Sequence, residues 1–153
     1  MIAPIRIGTR SDGSFSITNV PAHRVWVVYP TMNSLASRGQ AAAPVQLETG
    51  ASGGTVLAGD FHLRRAHTLS GSVVVSGSKP IPTGTRAVLS SGASSDSQMV
   101  EVTSNGAFSF AGLASGTYEV FVGIPGYEYA TPSDGEFLVN GDRKGLVLTL
   151  ERR

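Results

Sequence analysis

The chain has 153 residues and a formal net charge of +1, and it is 41% hydrophobic but only 15% charged. This composition is too apolar for a disordered chain, too rich in glycine and serine for a helical bundle, and without the basic stripe that nucleic-acid binding requires. Because it contains no cysteine, no secretory leader and no apolar run of about 18 residues, the sequence predicts no disulfide and no direct membrane insertion. A targeting signal is expected to lie outside this chain.

Short apolar runs bounded by turn residues predict five strands in the first part of the chain. They lie at residues 4–8, 14–18, 24–29, 45–48 and 55–63. The segment 33–43 is rich in Ala, Ser and Gly, which predicts a loop. No window of ten or more residues keeps a helical period, so no helix longer than one or two turns is expected.

The second part of the chain predicts seven more strands of the same kind. They lie at residues 68–75, 85–90, 98–103, 107–110, 117–123, 136–139 and 146–151. Period-two alternation in these strands predicts antiparallel sheets with one buried face, and Asn105-Gly106 predicts a type I′ hairpin turn. The predicted core consists of large apolar side chains: Val73, Val75, Val88, Val100, Val102, Phe108, Phe110, Leu113, Tyr118, Val120, Leu146 and Leu148.

A self-match about ninety residues apart divides the chain into two copies of one unit. Aligning Gly13 with Gly106 also matches Phe15 with Phe108. The repeated segment lies about 40 residues into the second copy but only about 12 residues into the first, so the first copy lacks its beginning. The sequence therefore predicts an all-β chain of tandem immunoglobulin-like Greek-key sandwiches, with a partial copy at 1–66 and a complete copy of about seven strands at 67–153.

Two runs of the second copy carry a family resemblance. They are LSGSVVVSGSKPIPTGTRAVLSS, residues 69–91, and NGAFSFAGLASGTYEVFVGIPGY, residues 105–127. Together they resemble the carboxypeptidase regulatory-like family of transthyretin-like (prealbumin-like) β-sandwiches, which occur beside metallocarboxypeptidases and in bacterial surface proteins. The resemblance covers 68–150 well and 3–64 in part. It implies a non-catalytic module with a carbohydrate-binding-like fold, in the cell envelope or outside the cell, attached to other domains of a larger protein.

The sequence predicts no enzymatic activity, no metal and no cofactor. A zinc site needs clustered ligands, whereas His23, His62 and His67 lie singly on or beside predicted strands. The second copy also resembles collagen-adhesin B-type repeats, some of which join Lys to Asn through a buried acid. The position of that acid is Val122 here, so no cross-link is expected.

Four aromatic residues are the candidate ligand-binding residues. Aligning the predicted strand 24–29 with its counterpart in the second copy predicts that Val25, Val27 and Tyr29 point inward and that Trp26 points outward. An outward Trp on a sheet fits either a sugar-stacking platform or a face covered by another domain, and the second interpretation is preferred. Tyr127 and Tyr129, in a predicted loop after Pro125, together with Tyr29, complete the candidate set.

The resulting functional hypothesis is an accessory or adhesion-type module that spaces domains or binds protein partners. The alternative is a carbohydrate-binding module that uses the exposed aromatics. Tyr118, which follows Gly116 at a strand entrance, is assigned a structural role, as a tyrosine corner whose hydroxyl bonds to the backbone.

Overall fold

A computed structural model describes residues 5–130 and 135–153, and the described chain is all-β apart from one five-residue helix, α1 (Met32–Ala36). No helix in these ranges is long and apolar enough to cross a membrane. The strands, in chain order, are β1 (Val25–Val28), β2 (Gln40–Ala41), β3 (Val45–Glu48), β4 (Arg64–Arg65), β5 (His67–Val75), β6 (Arg86–Ser91), β7 (Ser97–Glu101), β8 (Ala107–Leu113), β9 (Gly116–Val122), β10 (Tyr127–Tyr129), β11 (Glu136–Val139) and β12 (Arg143–Arg152).

Eight of these strands form two four-stranded sheets around one core. Sheet I has the strand order β10-β12-β5-β8, and sheet II has the order β11-β9-β6-β7. Neighbouring strands are antiparallel except β12 and β5, which run parallel. Both sheets contribute to the hydrophobic cluster between them, with Leu69 and Phe110 from sheet I and Leu89 and Val120 from sheet II all fully buried. The prediction of an all-β fold is confirmed.

The predicted core of this sandwich is largely confirmed. Its buried members are Val73, Val75, Val102, Phe108, Phe110, Leu113, Tyr118, Val120 and Leu148, and Val100 and Leu146 pack half-buried against them. The prediction for Val88 is wrong, because β6 buries Ala87 and Leu89 instead. Three successive apolar residues leave the parity of this strand open in the sequence, and the pairing of Leu89 with inward-facing Val120 decides it.

Side chains close both seams between the two sheets. At one seam the Gln98 amide of β7 donates to the Ala111 carbonyl at 2.8 Å and accepts from the Ala111 N–H at 3.2 Å. At the other seam the Tyr129 hydroxyl of β10 donates to the Val120 carbonyl at 2.6 Å and accepts from the Val122 N–H at 3.1 Å. Each side chain satisfies backbone groups that a further strand would otherwise pair.

The predicted hairpin at Asn105-Gly106 is wrong, because β7 and β8 lie in different sheets. The Gly106 N–H donates to the Thr103 carbonyl, and Gly106 alone has a positive φ, of 88°. A type I′ turn would require a positive φ at Asn105 as well. The turn therefore carries the chain from sheet II to sheet I instead of joining two paired strands.

β10 is a further difference from the sequence prediction, since residues 127–129 were predicted as loop.

The first part of the chain is far less regular than predicted. Two two-stranded sheets, β1-β3 and β2-β4, are its only strand pairs among residues 5–66, and the predicted strands at 5–8, 14–18 and 55–63 are not formed. Residue 4 lies outside the described residues. The predicted loop at 33–43 contains α1 and β2. A partial sandwich at 1–66 is therefore not confirmed.

The backbone nevertheless repeats where the sequence does. In the turn at 10–14 the Gly13 N–H donates to the Arg10 carbonyl, as the Gly106 N–H donates to that of Thr103 in the turn at 103–107. Gly13 and Gly106 have φ values of 85° and 88°. Six residues later, Asn19 has a φ of 59° and its counterpart Gly112 a φ of 76°. The two turns therefore share the same local backbone geometry, and Asn19 adopts a positive φ that is uncommon outside glycine.

Candidate functional site

The first part of the chain docks on one end of the sandwich through α1. Helix α1 contacts β8 and β7, and Met32 belongs to the same buried cluster as the sandwich core. Gly112 on β8 makes this approach possible, because a Cβ there would lie 2.8 Å from the Ala36 Cβ and 2.9 Å from the Met32 carbonyl oxygen. The contact of α1 and β2 with β8 and the 91–96 loop is called the joint below.

Asp96 holds the start of α1 from across the joint. Its Oδ2 accepts from the Met32 N–H at 2.7 Å, while its Oδ1 accepts from the Ser97 N–H at 3.0 Å. The helix has no side-chain cap of its own at Thr31, so this carboxylate satisfies a donor that would otherwise be unpaired. Burial, with a contribution from the Asp96 charge, raises the pKa of the nearby Tyr29 hydroxyl.

The joint contains a small, partly open cavity of about 30 Å³. This volume admits only about one or two water molecules and is far below that of a pocket for a sugar or a peptide side chain. Its lining is mostly small or apolar, and includes Pro30, Leu35, Ala41, Pro44, Asp96 and Tyr118. The joint is therefore a packed contact and not a ligand pocket.

A second set of contacts fixes the point where the two parts of the chain meet. Ala66 alone separates β4 from β5, and its N–H donates to the Gly39 carbonyl at 2.8 Å. Asp142 accepts from the Thr68 N–H at 3.0 Å and lies 3.6 Å from the Arg65 guanidinium. The connection has no free linker, so it resists bending.

The structure places Trp26 on the more covered face of β1, which corrects the predicted outward orientation. Trp26 and Val28 are half-buried, whereas Val25 and Val27 are 60% and 39% exposed. The indole Nε1 is buried with no hydrogen-bond partner among the described residues. β1 pairs only with β3, in a two-stranded sheet outside the sandwich, so the orientation of its counterpart β9 does not carry over to it.

The tyrosines among the candidates do not come together in one site. Tyr29 follows β1 and lies near Asp96, while Tyr127 and Tyr129 lie on β10 of sheet I. Tyr127 packs half-buried against the core, and the Tyr129 hydroxyl bonds to β9. The structure assigns these two side chains to packing. The predicted tyrosine corner is confirmed, since the Tyr118 hydroxyl donates to the Ala114 carbonyl at 2.7 Å.

An exposed apolar row crosses the outer face of sheet II, and the candidate set did not include it. Val88 of β6 pairs with Met99 of β7 on one side and with Phe121 of β9 on the other. Met99 and Phe121 are 58% and 60% exposed, and Val88 between them is half-buried. These three residues are called the apolar row below. The alternation of β7 and β9 was the signal in the sequence, since it turns Met99 and Phe121 away from a core that contains Val100 and Val120.

Residues able to bind a metal ion are scattered over the described chain. No group of three or more His, Cys, Asp or Glu side chains within 5–130 and 135–153 has the arrangement that a metal ion needs. His23 and His62 are exposed, and the His67 ring pairs with the Ser115 hydroxyl at 3.1 Å.

No protein-family model matches the sequence, and a search of curated proteins finds no match to it either.

Proposed function

We propose that this chain is a non-catalytic accessory or adhesion-type module of a bacterial cell-envelope or secreted protein. In that role it spaces neighbouring domains and presents surfaces to protein partners. The resemblance of residues 68–150 to carboxypeptidase regulatory-like modules is the basis for the cellular context. The structural observation that carries the proposal is the joint, because a spacer must transmit orientation from one part of the chain to the next.

Several contacts at the joint support a stiff connection. The Asp96 carboxylate accepts a hydrogen bond from α1, and the helix packs closely against Gly112. A small displacement of α1 would therefore break this hydrogen bond or cause a steric clash. The β2-β4 pair leads into β5 through Ala66 alone. A flexible tether between two binding domains would instead need a run of unpaired polar residues.

The distribution of ionisable groups supports a non-catalytic role. Catalytic acids and bases usually gather in clefts where burial and neighbouring charges shift their pKa values strongly. In the described chain, the pKa of Asp12 is lowered by hydrogen bonds from Ser14, and burial raises the pKa values of Tyr29 and Tyr118. The first shift arises in an exposed turn, and the two tyrosines lie at the packed joint and at a structural corner.

The stiffness of the joint can be measured directly because the chain contains no native cysteine. Spin labels on cysteines at Gln46, on β3, and Ser109, on β8, report the distance across the joint. A reference pair at Glu101 and Ser109 reports a distance within the sandwich. With excess unlabelled protein present, we expect both pairs to give one narrow distance distribution. A broad distribution for the first pair alone would contradict a spacer.

A carbohydrate-binding module is the second candidate function, and one observation favours it. A Cβ on Gly123 would lie 3.2 Å from the Phe121 ring, so this exposed ring extends over the glycine and presents a flat surface. Aromatic faces of this kind stack on sugar rings. Binding on a glycan array that disappears in Phe121→Ser but survives in Trp26→Phe would support this candidate over a protein-binding role.

A further inference from the structure

We propose that the apolar row is a self-association surface, through which two copies of this chain pack sheet II against sheet II about a two-fold axis. The row is formed by Met99, Val88 and Phe121 on three adjacent strands, so it extends about 10 Å across the sheet. An exposed apolar stripe with polar residues on both sides is typical of protein–protein contact surfaces.

The surface around the row is flat enough to receive another sheet. Phe121 lies over Gly123, which has no side chain to raise the surface at that position. Ser90 and Ser97 pair with each other directly beside the row. Sheets stack face to face at about 10 Å when short side chains alternate with apolar ones in this manner.

The two sides of the row differ in charge: one carries a balanced pair and the other carries two negative charges. On one side Arg86 pairs with Glu101 across the β6–β7 ladder. On the other side Glu119 pairs with Glu136 across the β9–β11 ladder. Two like charges directly opposite each other are unfavourable, and neither glutamate forms a salt bridge with a described residue.

A second copy is the partner that this charge pattern fits. A two-fold axis along the row stacks each apolar side chain on its own counterpart and inverts the two flanks. Arg86 of one copy then lies beside Glu119 of the other, once on each side of the axis. The contact is isologous, so it closes at a dimer.

The charge pair gives a test that a nonspecific apolar contact would fail. In Arg86→Glu the interface places Glu beside Glu119, and in Glu119→Arg it places Arg beside Arg86. Each variant alone should therefore remain monomeric by sedimentation velocity. Mixing the two variants restores an opposite-charge pair on both sides of the axis, so the mixture should recover the dimer mass of the unaltered chain.

The apolar part of the contact is tested with a matched pair of substitutions. Phe121→Ser should abolish the dimer, whereas Val147→Ser, at a 57% exposed position on the outer face of sheet I, should leave it unchanged. A cooperative thermal unfolding transition in both variants shows that the fold is retained, since loss of the dimer by itself lowers the apparent Tm. A monomeric unaltered chain at all concentrations, a dimer that survives Phe121→Ser, or a charge-variant mixture that stays monomeric would each overturn the proposal. Glycan binding by a monomer that is lost in Phe121→Ser would also overturn it and assign the surface to sugars.

Discussion

The Tyr129 hydroxyl supports the end of β9 where β11 no longer pairs with it. β11 pairs with β9 over residues 116–119, and the Val120 carbonyl and Val122 N–H beyond that point bond to Tyr129. Tyr129→Phe keeps the ring but leaves both backbone groups without this partner. We expect a loss of about 1–3 kcal/mol in the free energy of unfolding, which denaturant titration measures.

Tyr127→Phe is the matched control, because it removes a hydroxyl from the same strand that has no hydrogen bond among the described residues. Its effect should stay within about 0.5 kcal/mol. Equal losses from the two substitutions would show that the hydroxyl of Tyr129 does not support β9.

Tyr118 predicts how stability changes at alkaline pH. Burial raises the pKa of its hydroxyl above the usual value of 10.0, and its proton is donated to the Ala114 carbonyl. Above about pH 10 the tyrosine ionises more readily in the unfolded chain than in the folded one, so its contribution to stability is present at lower pH and is lost as the pH rises through its folded pKa. Tyr118→Phe should make the free energy of unfolding fall less steeply above pH 10, in denaturant titrations repeated along a pH series. An unchanged slope would contradict the assignment.

Individual side chains differed in how well the sequence predicted them. The role of Tyr118 follows from a local pattern, because Gly116 and the strand entrance place its hydroxyl near its own backbone. Tyr129 bonds across the seam between two sheets, and no local pattern encodes that contact. The orientation of Trp26 was inferred from β9, but β1 lies in a separate two-stranded sheet and buries a different face.

At the scale of elements, the docking of α1 depends on the missing side chain at Gly112. Gly112→Ala introduces a Cβ at a φ of 76° and within 3 Å of Ala36 and of the Met32 carbonyl. We expect α1 to be displaced from β8. Trypsin should then cleave after Arg38, just beyond the helix, faster than in the unaltered chain.

Gly145→Ala separates backbone strain from steric displacement. Gly145 has a similar φ of 73°, but nothing lies within 4 Å of a Cβ there. This control should cost about 1–2 kcal/mol of stability without a change in cleavage after Arg38. If both variants are cleaved equally fast, the fit of α1 on Gly112 is not what holds the helix.

Elements were predictable where a strand is long enough to show apolar residues between turn signals. This holds for β5, β6, β7, β8, β9, β11 and β12, whose positions agree with the sequence to within a few residues. β10 has three residues between turn signals, and α1 has five, which is too few for either period to be read. The failed strands at 14–18 and 55–63 have strand-like sequences but find no partner strand in the described chain.

At the scale of the whole molecule, composition and turn spacing were enough to predict an all-β chain, and the two four-stranded sheets lie within residues 67–153. Composition and turn spacing were not enough to predict how residues 5–66 fold, because that depends on contacts with the sandwich. The repeat survives in the backbone of the turn at 10–14 and in the φ of Asn19. The later residues of the first copy instead form α1 and β2 of the joint, and the second copy has no counterpart of these two elements.

The two parts of the chain should differ sharply when they are produced separately. Every member of the buried cluster except Met32 comes from 67–153, whereas Met32 and Ala41 are the only buried hydrophobic residues described within 1–66. Residues 67–153 alone should still unfold cooperatively. Their free energy of unfolding should be lower than that of the full chain by about 1.5–3 kcal/mol, because the burial of Met32 is lost. Residues 1–66 alone cannot cover the edges of their two-stranded sheets or bury a core, so they should give the narrow proton NMR dispersion of an unfolded chain or aggregate. A dispersed spectrum from 1–66, or the failure of 67–153 to fold, would show that the core is divided between the two parts differently from the structure.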